Sequence, residues 1–206
     1  MTQENLTTWD EVDGASEITV TADSIAVASA NDTDHWVSKD GGAAHWADFS
    51  WDFWADCVES LGTERMGIIA VTNVLQDIIY WREQDSEAYG VYFQGSTGSD
   101  VYTTIYNYET NGYDRYTVQE PGEWWFTLAR SGTTGTCAVY IDADRTMIDD
   151  TLAEVFPDGR TYRYAAIGTT GLTSNVCTWD VGYVDLGEVP ASGNRRRRVL
   201  ICGRTA

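Results

Sequence analysis

Lysine is nearly missing from this chain. Lys39 stands alone beside twelve arginines and 32 acidic residues, and the formal charge is −19. Such a balance argues against a main body built to bind nucleic acid. It fits a surface kept apart by self-repulsion. Proline is scarce, at three, against nineteen glycines. No apolar run is long enough to span a membrane as a helix, so no membrane insertion is expected. The opening MTQENLTTWDEVDG is acidic and polar, unlike a secretory signal peptide. Any exit from the cell would then come by lysis or by assembly into a particle. No repeat of 20–50 residues is visible.

The reactive residues are few as well. The only histidines are His35 and His45, flanking a Gly-rich turn, and no G-x-S-x-G occurs. That argues against a nucleophilic triad. The cysteines are Cys57, Cys137, Cys177 and Cys202, none in a C-x-x-C pair, which argues against a zinc site. The first three fall on inward positions of predicted strands and read as buried free thiols.

Aromatics are what the chain has in quantity: nine Trp, twelve Tyr and five Phe. Trp46 to Cys57, WADFSWDFWADC, carries the clearest signal. Ala47, Phe49, Trp51, Phe53, Ala55 and Cys57 alternate with Asp48, Ser50, Asp52 and Asp56, and Trp46 and Trp54 fall with the polar set. Period two predicts a half-buried strand that stacks three aromatics on one face. That face needs a second apolar layer, hence a sandwich.

Further strands are predicted at Leu6 to Val12, Glu17 to Ala22, Ser24 to Ala28, His35 to Lys39 and Met66 to Val71. Asn73 to Ser86 is ambiguous: VLQDIIYW could be helix or strand. Tyr89 to Gln94 and Val101 to Glu109 follow. Asn111-Gly112 turns the chain into Tyr113 to Val118, and Pro121-Gly122 marks another turn. Glu123 to Arg130 and Thr136 to Asp142 flank the loop SGTTG. Thr161 to Gly168 and Cys177 to Leu186 complete the set. This spacing predicts an all-β antiparallel two-sheet β-sandwich or jelly roll, with Phe49, Trp51, Phe53, Trp124, Phe126 and Trp179 in its core. Residues 1–190 form the expected domain, and 191–206 a basic C-terminal arm.

Four segments carry a resemblance: TTWDEVD (7–13), HWVSKDGGAAHWADFSWDF (35–53), EWWFTLARSGTTGTCAVYIDADRTMIDDTL (123–152) and YRYAAIGTTGLTSNVCTWDVGYVDL (162–186). In their order the chain resembles the concanavalin A-like lectin/glucanase superfamily, in the form found in uncharacterised phage-like proteins. The resemblance covers most of residues 5–189. It implies a jelly roll of two antiparallel sheets, including a return strand at D-T-L. Fold alone does not give function.

Four constellations can carry chemistry. Glu83-Gln84-Asp85-Ser86-Glu87 matches the E-x-D-x-E of that superfamily's glucanases, which needs two carboxyls about 5–5.5 Å apart. In those enzymes the intervening residues are apolar, whereas here they are Gln84 and Ser86. The stretch reads as a polar loop, and no catalytic residue is assigned. Asp142, Asp144, Asp149 and Asp150, or Asn31, Asp32 and Asp34, could give oxygen ligands to a structural calcium. Neither set has the EF-hand pattern, and no metal is assigned.

Tyr92, Tyr102, Tyr106, Tyr108 and Trp125 fall on the faces opposite the apolar ones and form the candidate glycan set. Finally, residues 195–206 hold five arginines and no acid, so the rest of the chain carries −24 once their +5 is taken from −19. Arg195, Arg196, Arg197 and Arg198 with Val199, Leu200 and Ile201 read as a docking arm. The quartet VLIC would be unfavourable to leave in water.

The expectation is a non-enzymatic, lectin-like structural or adhesion protein of a phage-like virion. Its partners would be other virion proteins or copies of itself, and glycans of a cell surface. A β-glucanase-type hydrolase and a free carbohydrate-binding module are the alternatives.

Overall fold

A computed structural model describes residues 3–13, 16–28, 35–60, 66–75, 87–95, 101–118, 122–156, 159–170 and 177–187. Its strands are β1 (Asp10–Val12), β2 (Ile18–Val20), β3 (Ser24–Ala28), β4 (His35–Asp40), β5 (Phe49–Ser60), β6 (Met66–Thr72) and β7 (Ala88–Gly95). They continue with β8 (Val101–Asn107), β9 (Gly112–Val118), β10 (Glu123–Ser131), β11 (Thr134–Tyr140), β12 (Ile148–Val155), β13 (Tyr164–Thr170) and β14 (Cys177–Asp185). All pairings are antiparallel, and the described residues hold no α-helix.

Two sheets of seven strands result. The first runs β1-β4-β13-β6-β7-β8-β9 and the second β12-β11-β10-β5-β14-β3-β2. The expected two-sheet antiparallel sandwich is what forms. Phe53 stacks on its cross-strand neighbour Phe126 at 5.2 Å within the second sheet, and Phe93 of the first sheet meets Phe126 edge-on at 5.1 Å across the core. Phe49, Trp51, Phe53, Phe126 and Trp179 are buried, and Trp124 packs against this core while partly exposed. Val139 and Cys137 come inward from β11, and burial pushes the Cys137 thiol pKa up. The side chains of Cys57 and Cys177, and all of Cys202, lie outside the described residues.

Two expectations change in detail, and one strand that the resemblance implied has no pattern of its own. Leu6 to Val12 does not run as one strand. Leu6–Thr8 is a 3-10 turn, because the Asn5 side chain accepts from the Thr7 backbone N–H at 3.2 Å and from its hydroxyl at 2.7 Å. A local side chain has competed with the sheet for the backbone. Trp46 does not share the polar face. It lies before β5 in a bridge to Tyr162, so the alternation of β5 does not reach it, and its ring packs edge-on to Trp51 at 5.0 Å. And β12 lacks clean alternation, with Leu152 its only buried residue, so periodicity passes over it and only the resemblance implied it.

The Ser131–Thr134 hairpin is tighter than SGTTG suggests. Its two-residue loop starts at Gly132, with φ +60, which a side chain would resist. Along one side of the sandwich the edge strands β9 and β12 of the two sheets meet. Asp114 accepts from the backbone N–H of Ala153 at 3.0 Å, and the Tyr116 hydroxyl donates to Asp149. That bond pushes the Tyr116 pKa up to about 12.

Candidate functional site

Alternation decides what the first sheet shows to the outside. On β6, Ile69 and Val71 enter the core between the sheets, while Ile68 and Ala70 face away. On β7, β8 and β9 the outward positions include Gly90, Tyr92, Tyr102, Thr104, Tyr106, Tyr113 and Arg115. Register lines them into rows across the strands. Gly90 stands opposite Tyr106 and Tyr106 opposite Tyr113, while Tyr92 stands opposite Thr104 and Thr104 opposite Arg115.

The small residue in the second row matters. Thr104 leaves room for Arg115 to lie across it. Its Nε donates to Thr104 Oγ1 and its Nη2 to the Tyr92 hydroxyl, both at 3.1 Å. The guanidinium carbon sits 5.2 Å from the Tyr102 ring centre and 5.6 Å from that of Tyr113. This is cation–π range. Tyr106 and Tyr113 are stacked at 6.1 Å with planes 11° apart, and the Tyr106 hydroxyl donates to Asn111 Oδ1 at 2.9 Å.

Four of the five sequence candidates therefore meet on one face. Tyr108 is only 1% exposed and Tyr92 7%, whereas Tyr102 and Tyr106 keep part of their surface and Tyr113 is 58% exposed. Tyr108 packs 4.6 Å from Tyr106. The fifth, Trp125, stands on the outer face of the second sheet, on the opposite side of the sandwich. The Arg145 guanidinium covers its ring at 5.2 Å and also approaches Tyr183 at 5.7 Å. Arg145 Nε lies 3.7 Å from Asp52, whose carboxylate also accepts from Thr127.

Tyr113 and Arg115 were missed among the sequence candidates. The signal was available: the Asn-Gly turn pairs β9 back onto β8, and alternation puts 113 and 115 on the face of 102 and 106.

The acidic candidates do not gather. Asp142 is used by its own loop, accepting from the backbone of Thr146 and Met147 and from the Thr146 hydroxyl. Partial burial works against ionisation, but these hydrogen bonds outweigh it and hold the pKa low. Asp149 accepts from Tyr116, and Asp150 from the backbone of Thr151. No cluster with metal-ligand geometry occurs among the described residues. Asn31, Asp32 and Asp34 lie outside them, as do Glu83 to Ser86. Glu87, the last of E-x-D-x-E, is described. Arg160 pairs with it, and Asn73 donates to it at 2.7 Å. It immediately precedes β7, with the parity of Tyr89 and Val91, which face the core, rather than that of the tyrosine face.

Another polar group was also missed. His35 is fully buried, with Nδ1 2.7 Å from Asp13 and Nε2 3.1 Å from Glu17. Asp13 also accepts from the backbone of Glu17 and Ile18. This cluster ties the ends of β1, β2 and β4 together.

No family model matches the chain, and none of the curated proteins does. Solved structures do match in shape. A legume lectin-like domain from Entamoeba histolytica has a TM-score of 0.58 at 11% identity, covering 89% of this chain and 91% of its own. The fold is legume-lectin-like. A functionally unknown protein from Saccharomyces cerevisiae also gives 0.58 at 11% identity, over 91% of this chain and all of its own. The exoplasmic/lumenal domain of VIP36, in a form bound to Ca2+ and Man2, gives 0.55 at 9% identity, over 88% and 83%. At these identities the legume-lectin-like likeness is one of fold.

Proposed function

We propose that this chain is a non-catalytic lectin-like domain that binds saccharide on the outer tyrosine face of its first sheet. The observation that carries the reading is the convergence of Tyr102, Tyr106 and Tyr113 around Arg115. Sugars stack C–H faces on flat rings and take hydrogen bonds from fixed polar groups, and a sheet holds both rigidly. The saccharide-bound VIP36 domain supports the same reading by fold. The engagement of Glu87 by Arg160 and Asn73 favours binding over hydrolysis.

We place this domain on the surface of a phage-like virion, as an adhesion or decoration component docked through residues 195–206. The resemblance and the composition of the arm support that placement. The test is an immobilised-glycan panel probed with the purified full chain, alongside Tyr113→Ala and Trp125→Ala. Binding by the parent that drops about tenfold or more in Tyr113→Ala and is kept in Trp125→Ala is expected. Loss only in Trp125→Ala would move the site to the other sheet, and no binding to any glycan would end the reading. A mass-spectrometric inventory of purified particles tests the virion placement, and absence of the chain from them would refute it.

A further inference from the structure

The tyrosine face holds a cation that the rest of the molecule would be expected to neutralise. Acidic residues outnumber basic ones by 32 to 13 in this chain. Other described cations have found carboxylates. Lys39 pairs with Glu4, Arg160 with Glu87 and Glu109, and Arg163 with Asp40. Arg145 lies near Asp52. Arg130 is buried and gives its protons to the backbone carbonyls of Gly132 and Arg160. Arg115 is exposed; its backbone N–H donates to Asp114 Oδ1 at 2.9 Å, but its guanidinium has no carboxylate partner among the described residues.

Its surroundings are selective too. Asp114, its chain neighbour, points to the other side of β9 and is engaged by Ala153. The described outward side chains of β7, β8 and β9 include no acid. Where acids are this abundant, an acid-free face around an unpaired arginine is an arrangement that favours an anion.

The guanidinium is also held ready. An arginine has five N–H donors in a planar fork. The Nε proton goes to Thr104 and one Nη2 proton to Tyr92. Three remain, two on Nη1 and one on Nη2, and they can meet two oxygens of a planar or tetrahedral anion side by side. The hydroxyl bonds and the flanking rings of Tyr102 and Tyr113 fix the plane in advance, which lowers the entropy lost on binding.

Resting on the saccharide reading above, we infer that the ligand is an acidic saccharide, whose carboxylate or sulfate pairs with Arg115 while a neighbouring sugar ring lies on Tyr113. The acidic body repels anions at long range, but that field is screened within about 8 Å at physiological salt, whereas the direct pair is screened far less.

The test uses matched acidic and neutral probes with the full chain: oligogalacturonate and its methyl ester, sialyllactose and lactose, and chondroitin sulfate and its desulfated form with carboxyls esterified. Calorimetry on the parent protein should show at least one acidic member bound about tenfold or more tighter than its neutral mate. Arg115→Gln should erase that preference by weakening the acidic member at least about tenfold more than the neutral one, and Tyr113→Ala should weaken both members alike. Circular dichroism of each variant confirms that the fold is intact. The pair that responds distinguishes carboxylate from sulfate. Equal binding of acidic and neutral members, or a preference that survives Arg115→Gln, overturns this inference and leaves the saccharide reading standing. Failure of the parent to bind any probe, together with a blank glycan panel, overturns both.

Discussion

Trp51 sits 1% exposed near the start of β5, between Trp46 at 5.0 Å and Phe49 at 4.9 Å. Its ring fills space that no neighbour can easily collapse into. Trp51→Ala should lower unfolding free energy by about 3–5 kcal/mol in a urea titration. A loss under about 1 kcal/mol would refute its place in the core. Asp180 presents the opposite case. It stands directly across from Asp56 on the outer face of the second sheet. Partial burial, and then the Asp56 charge, raise its pKa above 3.8. A carboxyl with a raised folded pKa weakens the fold when ionised, so the penalty is present at neutral pH and fades below about pH 4. Asp180→Asn should therefore stabilise the domain at pH 7 by about 0.2–1 kcal/mol. The gain should shrink towards zero in the same titration run below pH 4. A gain that persists unchanged into acid would remove ionisation as its cause.

At the scale of strands, the two sheets touch through side chains that local pattern does not pair. Gly67 of β6 faces Trp179 of β14, and a Cβ placed on Gly67 would lie 2.5 Å from the indole. The indole ring needs that bare backbone. Gly67→Ala should force the ring or strand to shift and lower the thermal midpoint, at about 1–3 kcal/mol for an overpacked site. An unchanged melting curve would show that the second sheet yields freely there. The same limit explains the site. Alternation gives the side of its strand on which Tyr92, Tyr102, Tyr106 and Trp125 lie. It does not tell which sheet a strand joins, so outward residues of two sheets look equivalent in sequence. Pairing of β9 with β8 brings Tyr113 and Arg115 to the tyrosines, and placement of β10 in the second sheet takes Trp125 away.

At the scale of the whole molecule, the proposed docking through residues 195–206 rests on charge. A body of −24 joined to an arm of +5 invites contact between one copy's arm and another acidic surface. Arginine suits such contacts, because its fork pairs bidentately with carboxylates. Deleting residues 195–206 should leave the circular dichroism and melting temperature of the sandwich unchanged while abolishing assembly. Assembly of the intact chain should weaken as salt rises. A truncated protein that assembles normally in sedimentation experiments would sink the docking role.

Composition and period two were enough to determine that this chain is all-β and two-layered, and that Phe49, Trp51, Phe53, Phe126 and Trp179 line its core. Burial of alternate residues is a property each strand carries in its own sequence. Whatever depends on two distant segments was decided only in the tertiary structure. Trp46 is buried through Tyr162, His35 sits between Asp13 and Glu17, and Arg115 is held by residues of two other strands. Strand order and register set those meetings, and neither leaves a local mark in the residues that it brings together.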